Sequence, residues 1–488
     1  MSQDSPKFQL SNWEIVSVNP IDKTWSWKDY FCFWANTTQS LIAFSLIASL
    51  YILYDLNIII VFSGSIFAGL LVYFFSNLIG KPSSKHGIPF VVFLRTSIGL
   101  NGARYFGILR GFVGIFFFGV QTYFISKSIG YLIRISLFSI DSSFLEHEYL
   151  LLFLMGLNLI DWISLLFTLL FQYYLFSKGH KFMKYFINFS GLLVYFGILF
   201  FFIILFAEYN QQLQDSFFEI LEFENIFVEN NIVPFLTITS TMFAYYSIVI
   251  LNFGDFSRYA KNEKELNKGN LTLLLNLIIF SFLAIFITLG SDIVINKELA
   301  EPNRFLTNPT DIIGKINNTY LTVTCLLFIL LASLSSNLIA NYVPSQNTLI
   351  NFFPAKLGLK SAGIIIIILG LVIGSLWLTF ISQLGILSFV DTLGSFFGPL
   401  FGLIICDYYF IKNKKIINKD IFSSNKDGAY YYSNGWHIKG LYAVFIGFIF
   451  SAATIWNSNL NFLQSYSWII GAVVSFIIYF LLVPKNNE

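Results

Sequence analysis

The chain sets serine hydroxyls and two amides inside one apolar stretch, Ala332-Ser333-Leu334-Ser335-Ser336-Asn337-Leu338-Ile339-Ala340-Asn341. An amide or hydroxyl left without a partner in apolar surroundings costs on the order of a few kcal/mol. Membrane-crossing helices keep such groups where they bind something or join helices. Ser335 follows Ala332 by three residues, and Asn341 follows Ser335 by six. On a helix this spacing puts oxygens suited to a cation and an amide suited to a solute on neighbouring faces.

Around that stretch the chain is 56% hydrophobic and 11% charged over 488 residues, with mean hydropathy +0.70. Soluble domains carry about 25% charged residues, so this is a polytopic membrane protein. Cys32, Cys325 and Cys406 lie in or beside apolar runs without a CxxC pair and read as small apolar residues. The sequence holds no HExxH, no clustered Cys/His and no Gly-x-x-x-x-Gly-Lys. Metalloenzyme and ATPase readings lose their support, and no enzyme activity, cofactor or nucleic-acid partner is expected.

A membrane crossing needs about 20 mostly apolar residues. Twelve such stretches are present: Tyr30–Ile52, Ile58–Leu78, Phe106–Ile129, Tyr149–Phe176, Phe186–Phe206, Ile232–Phe253, Leu271–Gly290, Tyr320–Val343, Ala362–Phe380, Leu384–Phe410, Leu441–Trp456 and Tyr466–Leu482. With a cytoplasmic N-terminus, the inside segments carry 23 Lys and Arg and the outside segments 4. This asymmetry supports both the count and the direction, with both termini cytoplasmic. The first stretch follows a polar lead without a small-residue cleavage site, so it is not read as a signal peptide. The loops are short, and function is expected among the helices.

Polar residues then mark helix breaks. The first stretch holds Asn36-Thr37-Thr38-Gln39-Ser40, and the sixth holds Thr237, Thr239, Ser240, Thr241 and Tyr245-Tyr246-Ser247. The third and eighth carry the amides Gln121 and Asn341. Secondary transporters place their site at discontinuous helices in corresponding positions of two inverted repeats. Pairing one with six and three with eight favours five plus five helices. The expected division is a tail 1–29, a first repeat 30–207, a second repeat 208–411, a cytoplasmic loop 412–440 and two last crossings within 441–488. Asp161, read as mid-span in the fourth stretch, and Asp391 in the tenth are costly charges in lipid, read as paired or as proton sites. Asp255 and Arg258 are read as an ion pair. Gly107, Gly111 and Gly114 space a face for close helix packing.

Six motifs in order carry a family resemblance. They are Asn19-Pro20-Ile21-Asp22-Lys23-Thr24-Trp25; Gly87-Ile88-Pro89-Phe90 with Arg95, Gly99 and Gly102-Ala103; Phe118-Gly119-Val120-Gln121-Thr122; Asn252-Phe253-Gly254-Asp255-Phe256-Ser257-Arg258; Ser335 to Asn341; and Gly398-Pro399 through Asp407-Tyr408-Tyr409. Together they resemble the nucleobase:cation symporter family of hydantoin, allantoin, uracil and cytosine permeases. The resemblance implies an all-α, leucine-transporter-type fold: two inverted five-helix repeats plus two trailing helices. It implies symport of a small planar nitrogen heterocycle with Na+ or H+. The chain is read as a multi-pass monomer of the cell membrane, with the lipid bilayer and a small-molecule solute as its partners.

The resemblance also implies residue roles. Gln121 and Asn341 hydrogen-bond the substrate, an amide offering donor and acceptor together. Ser40, with Gln39 beside it, supplies the contact from the first helix. Backbone carbonyls at Asn36, Gln39 and Ala332 and the hydroxyls of Ser335 and Ser336 hold the cation. Oxygen ligands suit a hard ion, and the two hydroxyls favour Na+ over H+. The family's stacking tryptophans fall at Phe117 and Tyr246, which still present ring faces but leave the substrate's identity open. Blander alternatives stand beside these: Gln121 as contact between helices, and Ser335 and Ser336 bonding carbonyls one turn back. A vitamin-like or other small amide cargo on the same fold is the alternative function, with a non-transport integral membrane protein behind it.

Overall fold

The computed structural model describes residues 15–50, 58–220, 231–299, 318–381 and 392–483. The main helices are α1 (Trp27–Thr38), α2 (Leu41–Ala48), α3 (Ile58–His86), α4 (Arg95–Ile140), α5 (Leu159–Phe176), α6 (His180–Ile220), α7 (Ile232–Asn252), α8 (Glu263–Leu299), α9 (Thr319–Asn337), α10 (Val343–Phe352), α11 (Leu359–Leu376), α12 (Phe397–Cys406), α13 (Ile438–Trp456) and α14 (Ser467–Leu482). Among the described residues, eleven helices are long and apolar enough to cross a membrane. The first expected crossing is not one of them, because it comes as two pieces, α1 and α2.

Local chemistry explains that break. The Thr37 and Thr38 hydroxyls both donate to the Trp34 carbonyl at 2.8 Å, back-bonds that slightly weaken and bend a helix. Ser40 Oγ accepts the Ala43 N–H at 3.1 Å and starts α2 as a cap. The sixth helix was expected to break as well; instead α7 runs unbroken from Ile232 to Asn252. Its hydroxyls find partners without disrupting it: Ser240 bonds Thr237 O, and Thr239 reaches across to Gly64 O. The interruption falls instead in the eighth helix, where a π-turn at Leu338–Tyr342 joins α9 to α10.

The packing is reciprocal. α1 lies on α8, and α7 lies on α3. The first helix of each set of five therefore packs on the second helix of the other, as inverted repeats require. α4 packs along α10, and α14 packs on both α12 and α13. The glycine face of α4 makes the α4–α10 contact possible: a Cβ at Gly111 would fall 2.2 Å from Thr348 Oγ1, and one at Gly114 2.3 Å from Ser345 Oγ.

Two further positions differ from expectation. The fourth crossing begins at Leu159 rather than Tyr149, so Asp161 lies in the first turn and not at mid-depth. There it forms a capping box with Asn158 and pairs with Arg134 at 3.0 Å and Lys127 at 3.4 Å; a helix N-terminus also favours a carboxylate. Asp391, Ile52 and the start of the tenth stretch at Leu384 lie outside the described residues. At the other end of the tenth stretch, Asp407 is fully buried and receives Lys412 Nζ at 2.6 Å, Ser97 Oγ at 3.0 Å and Tyr479 OH at 2.7 Å, tying α4, the tenth stretch and α14 together.

Gly111→Ala should lower the melting temperature in detergent by an amount equivalent to roughly 1–3 kcal/mol, the usual cost of overpacking. Gly394→Ala, where a Cβ meets nothing within 4 Å, should leave it unchanged. Equal melting temperatures for wild type and Gly111→Ala would contradict the close α4–α10 contact.

Candidate functional site

The break between α1 and α2 is held from α7. Tyr245 OH donates to the Thr37 carbonyl at 2.8 Å and meets Ser40 Oγ at 2.5 Å. Tyr246 OH lies 3.1 Å from Thr38 Oγ1. A helix end leaves carbonyls without intrahelical partners, and Tyr245 takes up part of that need. The side chain of Asn36 is engaged at both ends: it donates to Cys32 O and Ile187 O, both at 2.7 Å, and accepts Ser190 Oγ at 2.9 Å. It staples α1 to α6. Gln39 donates to Gly191 O at 3.3 Å, and its buried Oε1 has no partner among the described residues.

Facing the break, a chain of amides runs across α4, α5 and the eighth helix. Gln121 Nε2 donates to Ser336 Oγ at 2.5 Å and to Ser333 O at 3.2 Å. Asn341 Nδ2 donates to Gln121 Oε1 at 3.0 Å and to Asn337 Oδ1 at 2.9 Å. Asn337 donates onward to Gln172 Oε1 at 2.8 Å, and Gln172 to Thr122 Oγ1 at 3.0 Å. Ser336 and Asn341 are five residues apart. In an α-helix that places them about 140° apart around the axis. The π-turn, with bonds spanning five residues, brings them onto one side, where a single glutamine reaches both.

The serine geometry suits a cation. Ser335 Oγ donates to Ala332 O at 2.9 Å, and Ser336 Oγ to Ser333 O at 3.2 Å. These are the back-bonds of the blander alternative, yet each uses only the hydroxyl proton. The oxygen lone pairs stay available, and the Ser336 oxygen already accepts from Gln121. A cavity lined by Gln39, Ser40, Phe44 and Val194 on one side and Ile329 and Ala332 on the other places the break opposite α9, the first part of the eighth helix. Gln39, Ser40 and Ala332 thus share one space, whereas Gln121, Asn341 and Ser336 form the adjoining amide chain.

The aromatic pair is less tightly assembled. Tyr246 is buried and packs on Trp34, with ring centroids 6.4 Å apart. Phe117 is half-buried against Phe116 at 5.5 Å. Among the described residues no ring contact joins Phe117 to Tyr246. Sequence reasoning gave no role to Asn337, Gln172 or Tyr245. Asn337 lay inside a quoted motif. Gln172, an amide in the apolar helix α5, carried a signal of its own.

Asp255 and Arg258 form no ion pair among the described residues. Asp255 accepts the Phe90 N–H at 3.1 Å and Asn252 Nδ2 at 3.0 Å, while Arg258 donates to Tyr259 OH at 2.9 Å. Both lie just beyond α7, in and at the end of the short helix Gly254–Ser257. Burial pushes the Asp255 carboxyl up to about 6, against the opposing pull of the Arg258 charge and the hydrogen bonds.

A broken first helix set against a bulged eighth helix, with amides and hydroxyls walled off from lipid, is the architecture of a membrane transporter. The family described as permeases for cytosine/purines, uracil, thiamine and allantoin matches residues 17–481, and the chain belongs to it. An allantoin permease of Bacillus subtilis (strain 168) is 25% identical over 480 residues, covering 97% of this chain and 93% of that protein. A purine-uracil permease of Arabidopsis thaliana is 25% identical over 90% of this chain and 70% of its own length. Among solved structures, a nucleobase-cation-symport-1 family transporter in a closed conformation with bromovinylhydantoin bound superposes with TM-score 0.68 and 17% identity, covering 98% of this chain and 94% of that one. A Na+-coupled sialic acid symporter in an outward-open state reaches TM-score 0.60 at 14% identity, covering 94% and 89%. The fold is the leucine-transporter-type architecture expected from the sequence.

A carboxyl whose folded value is raised binds its proton more tightly in the folded state. Stability linked to Asp255 is therefore present at low pH and lost as pH rises from 3.8 through about 6. Melting temperatures measured across that window should fall more steeply for wild type than for Asp255→Asn; parallel profiles would contradict the assignment.

Proposed function

We propose that this permease imports a small planar nitrogen heterocycle of the nucleobase, hydantoin or allantoin type by alternating access, coupled to Na+. The observation that carries the reading is the amide chain itself. Gln121 is joined to both Ser336 and Asn341 across the π-turn, next to the broken first helix. A lactam or imide edge offers the same alternation of donor and acceptor as an amide. It enters by replacing the Gln121–Asn341 bond, a near-even exchange of hydrogen bonds. Net affinity then comes from burying the ring, with Phe117 and Tyr246 as its stacking faces and Ser40 and Gln39 as contacts from the break. The names of the relatives support this substrate class.

Na+ is taken by the carbonyls of Asn36, Gln39 and Ala332 and the hydroxyls of Ser335 and Ser336. Bound there, it ties the break to the eighth helix at Ser336, which also accepts from Gln121, and so orders the substrate contacts. Such coupling is reciprocal: substrate tightens Na+ binding by the same factor. In this reading the chain is a monomer crossing the cell membrane twelve times, α1 and α2 making the first crossing, with both termini cytoplasmic.

In proteoliposomes, uptake of labelled uracil, hydantoin or allantoin should rise several-fold with an inward Na+ gradient. Equal uptake with and without it, together with a response to a proton gradient, would replace Na+ by H+. Gln121→Ala and Asn341→Ala should each weaken substrate binding at least tenfold while the purified proteins stay monodisperse; full affinity in either would remove that residue from the site.

A further inference from the structure

The eighth helix carries Pro344, which has no N–H to give. In an α-helix that N–H would bond the carbonyl four residues back, which is Ala340. The proline ring also crowds that carbonyl. The backbone responds with the π-turn, in which the Val343 N–H bonds the Leu338 carbonyl. The Ala340 carbonyl is met from outside the helix: Arg110 Nη2, on α4, donates to it at 2.6 Å.

Arg110 is an expensive way to satisfy one carbonyl. It is fully buried, and its Nε and Nη1 have no hydrogen-bond partner among the described residues. Its guanidinium carbon sits 5.8 Å from the Phe397 ring centroid. Room for it comes from Gly114, where a Cβ would fall 2.7 Å from Nη1. An intramembrane charge is costly and points to function. A charge-assisted hydrogen bond is about twice as strong as a neutral one, which suits a carbonyl that fixes helix register. One residue further on, Asn341 donates to Gln121.

We propose that Arg110 and Pro344 together set the π-turn that brings Asn341 into line with Ser336 in front of Gln121, making Arg110 a positioning residue for substrate binding. The inference rests on reading Gln121 and Asn341 as the substrate amides. Pro344 withholds the internal donor, Arg110 supplies the external one, and the extra residue held in the turn aims Asn341. Restoring the internal donor lets the helix relax to a regular α-register. That change turns Asn341 by about 100° relative to Ser336.

The test measures binding of uracil, hydantoin and allantoin beside melting temperature for four purified variants. Pro344→Ala should keep or raise the melting temperature yet weaken binding at least tenfold. Arg110→Met should lower both, and Arg110→Lys, which still donates to the carbonyl, should recover part of the binding. The double variant Arg110→Met with Pro344→Ala should recover melting temperature but not binding. A merely structural arginine would give recovery of both, and that result, or wild-type affinity in Pro344→Ala, overturns the inference. If wild type itself binds none of the three heterocycles, the substrate reading falls first, and this inference with it.

Discussion

A backbone polar group inside a bilayer has no water to turn to, and this protein is organised around two places where the helical ladder fails. At the first, α1 stops at Thr38 and α2 begins at Leu41. At the second, the eighth helix takes a π-turn over Leu338–Tyr342. Each failure frees carbonyls, and each is met by a side chain from a neighbouring helix: Tyr245 on Thr37 O, Arg110 on Ala340 O. The irregular backbone is thus confined to the protein interior.

The helices that carry these groups are packed closely enough to keep them there. Gly111 and Gly114 let α4 approach α10 until Ser345 Oγ donates to the Gly111 carbonyl at 3.2 Å. Without side chains at those glycines, the α4 backbone itself becomes part of the contact, as in other small-residue helix interfaces. The same closeness allows Gln121 and Arg110, on one helix, to read two sides of the same π-turn. Packing between α4 and the eighth helix and the polar chemistry at their interface are therefore one arrangement.

The amide chain has a direction. From Asn341 through Asn337 and Gln172 to Thr122, each side chain donates to the next, and Thr122 closes the run on the Phe118 carbonyl at 2.7 Å. Buried networks of this kind fix orientation when every member is satisfied. Gln121 sits at the edge of the run, half-buried, with Asn341 its one side-chain donor among the described bonds. It is the member whose partner is most easily exchanged for a solute.

The sequence by itself determined that the chain crosses a membrane many times, where its polar residues lie along each apolar stretch and which family it belongs to. Those features follow from composition and from motifs that survive as local strings, so Gln121, Ser336 and Asn341 were legible as candidates. The break at Gln39-Ser40 was legible too, since threonine and serine hydroxyls compete with the ladder over a few residues. What only the tertiary structure decided were relations across helices. A hydroxyl run ends the first helix but leaves α7 whole, although hydroxyls in both bond carbonyls one turn back. Asp161 sits at a paired helix start rather than at mid-span, because α5 begins at Leu159. The π-turn that lets one glutamine reach residues five apart follows from Pro344 and a distant arginine acting together. A string records each partner, but the contact between them exists only after two helices, separated by more than 200 positions, have been brought within reach of one hydrogen bond.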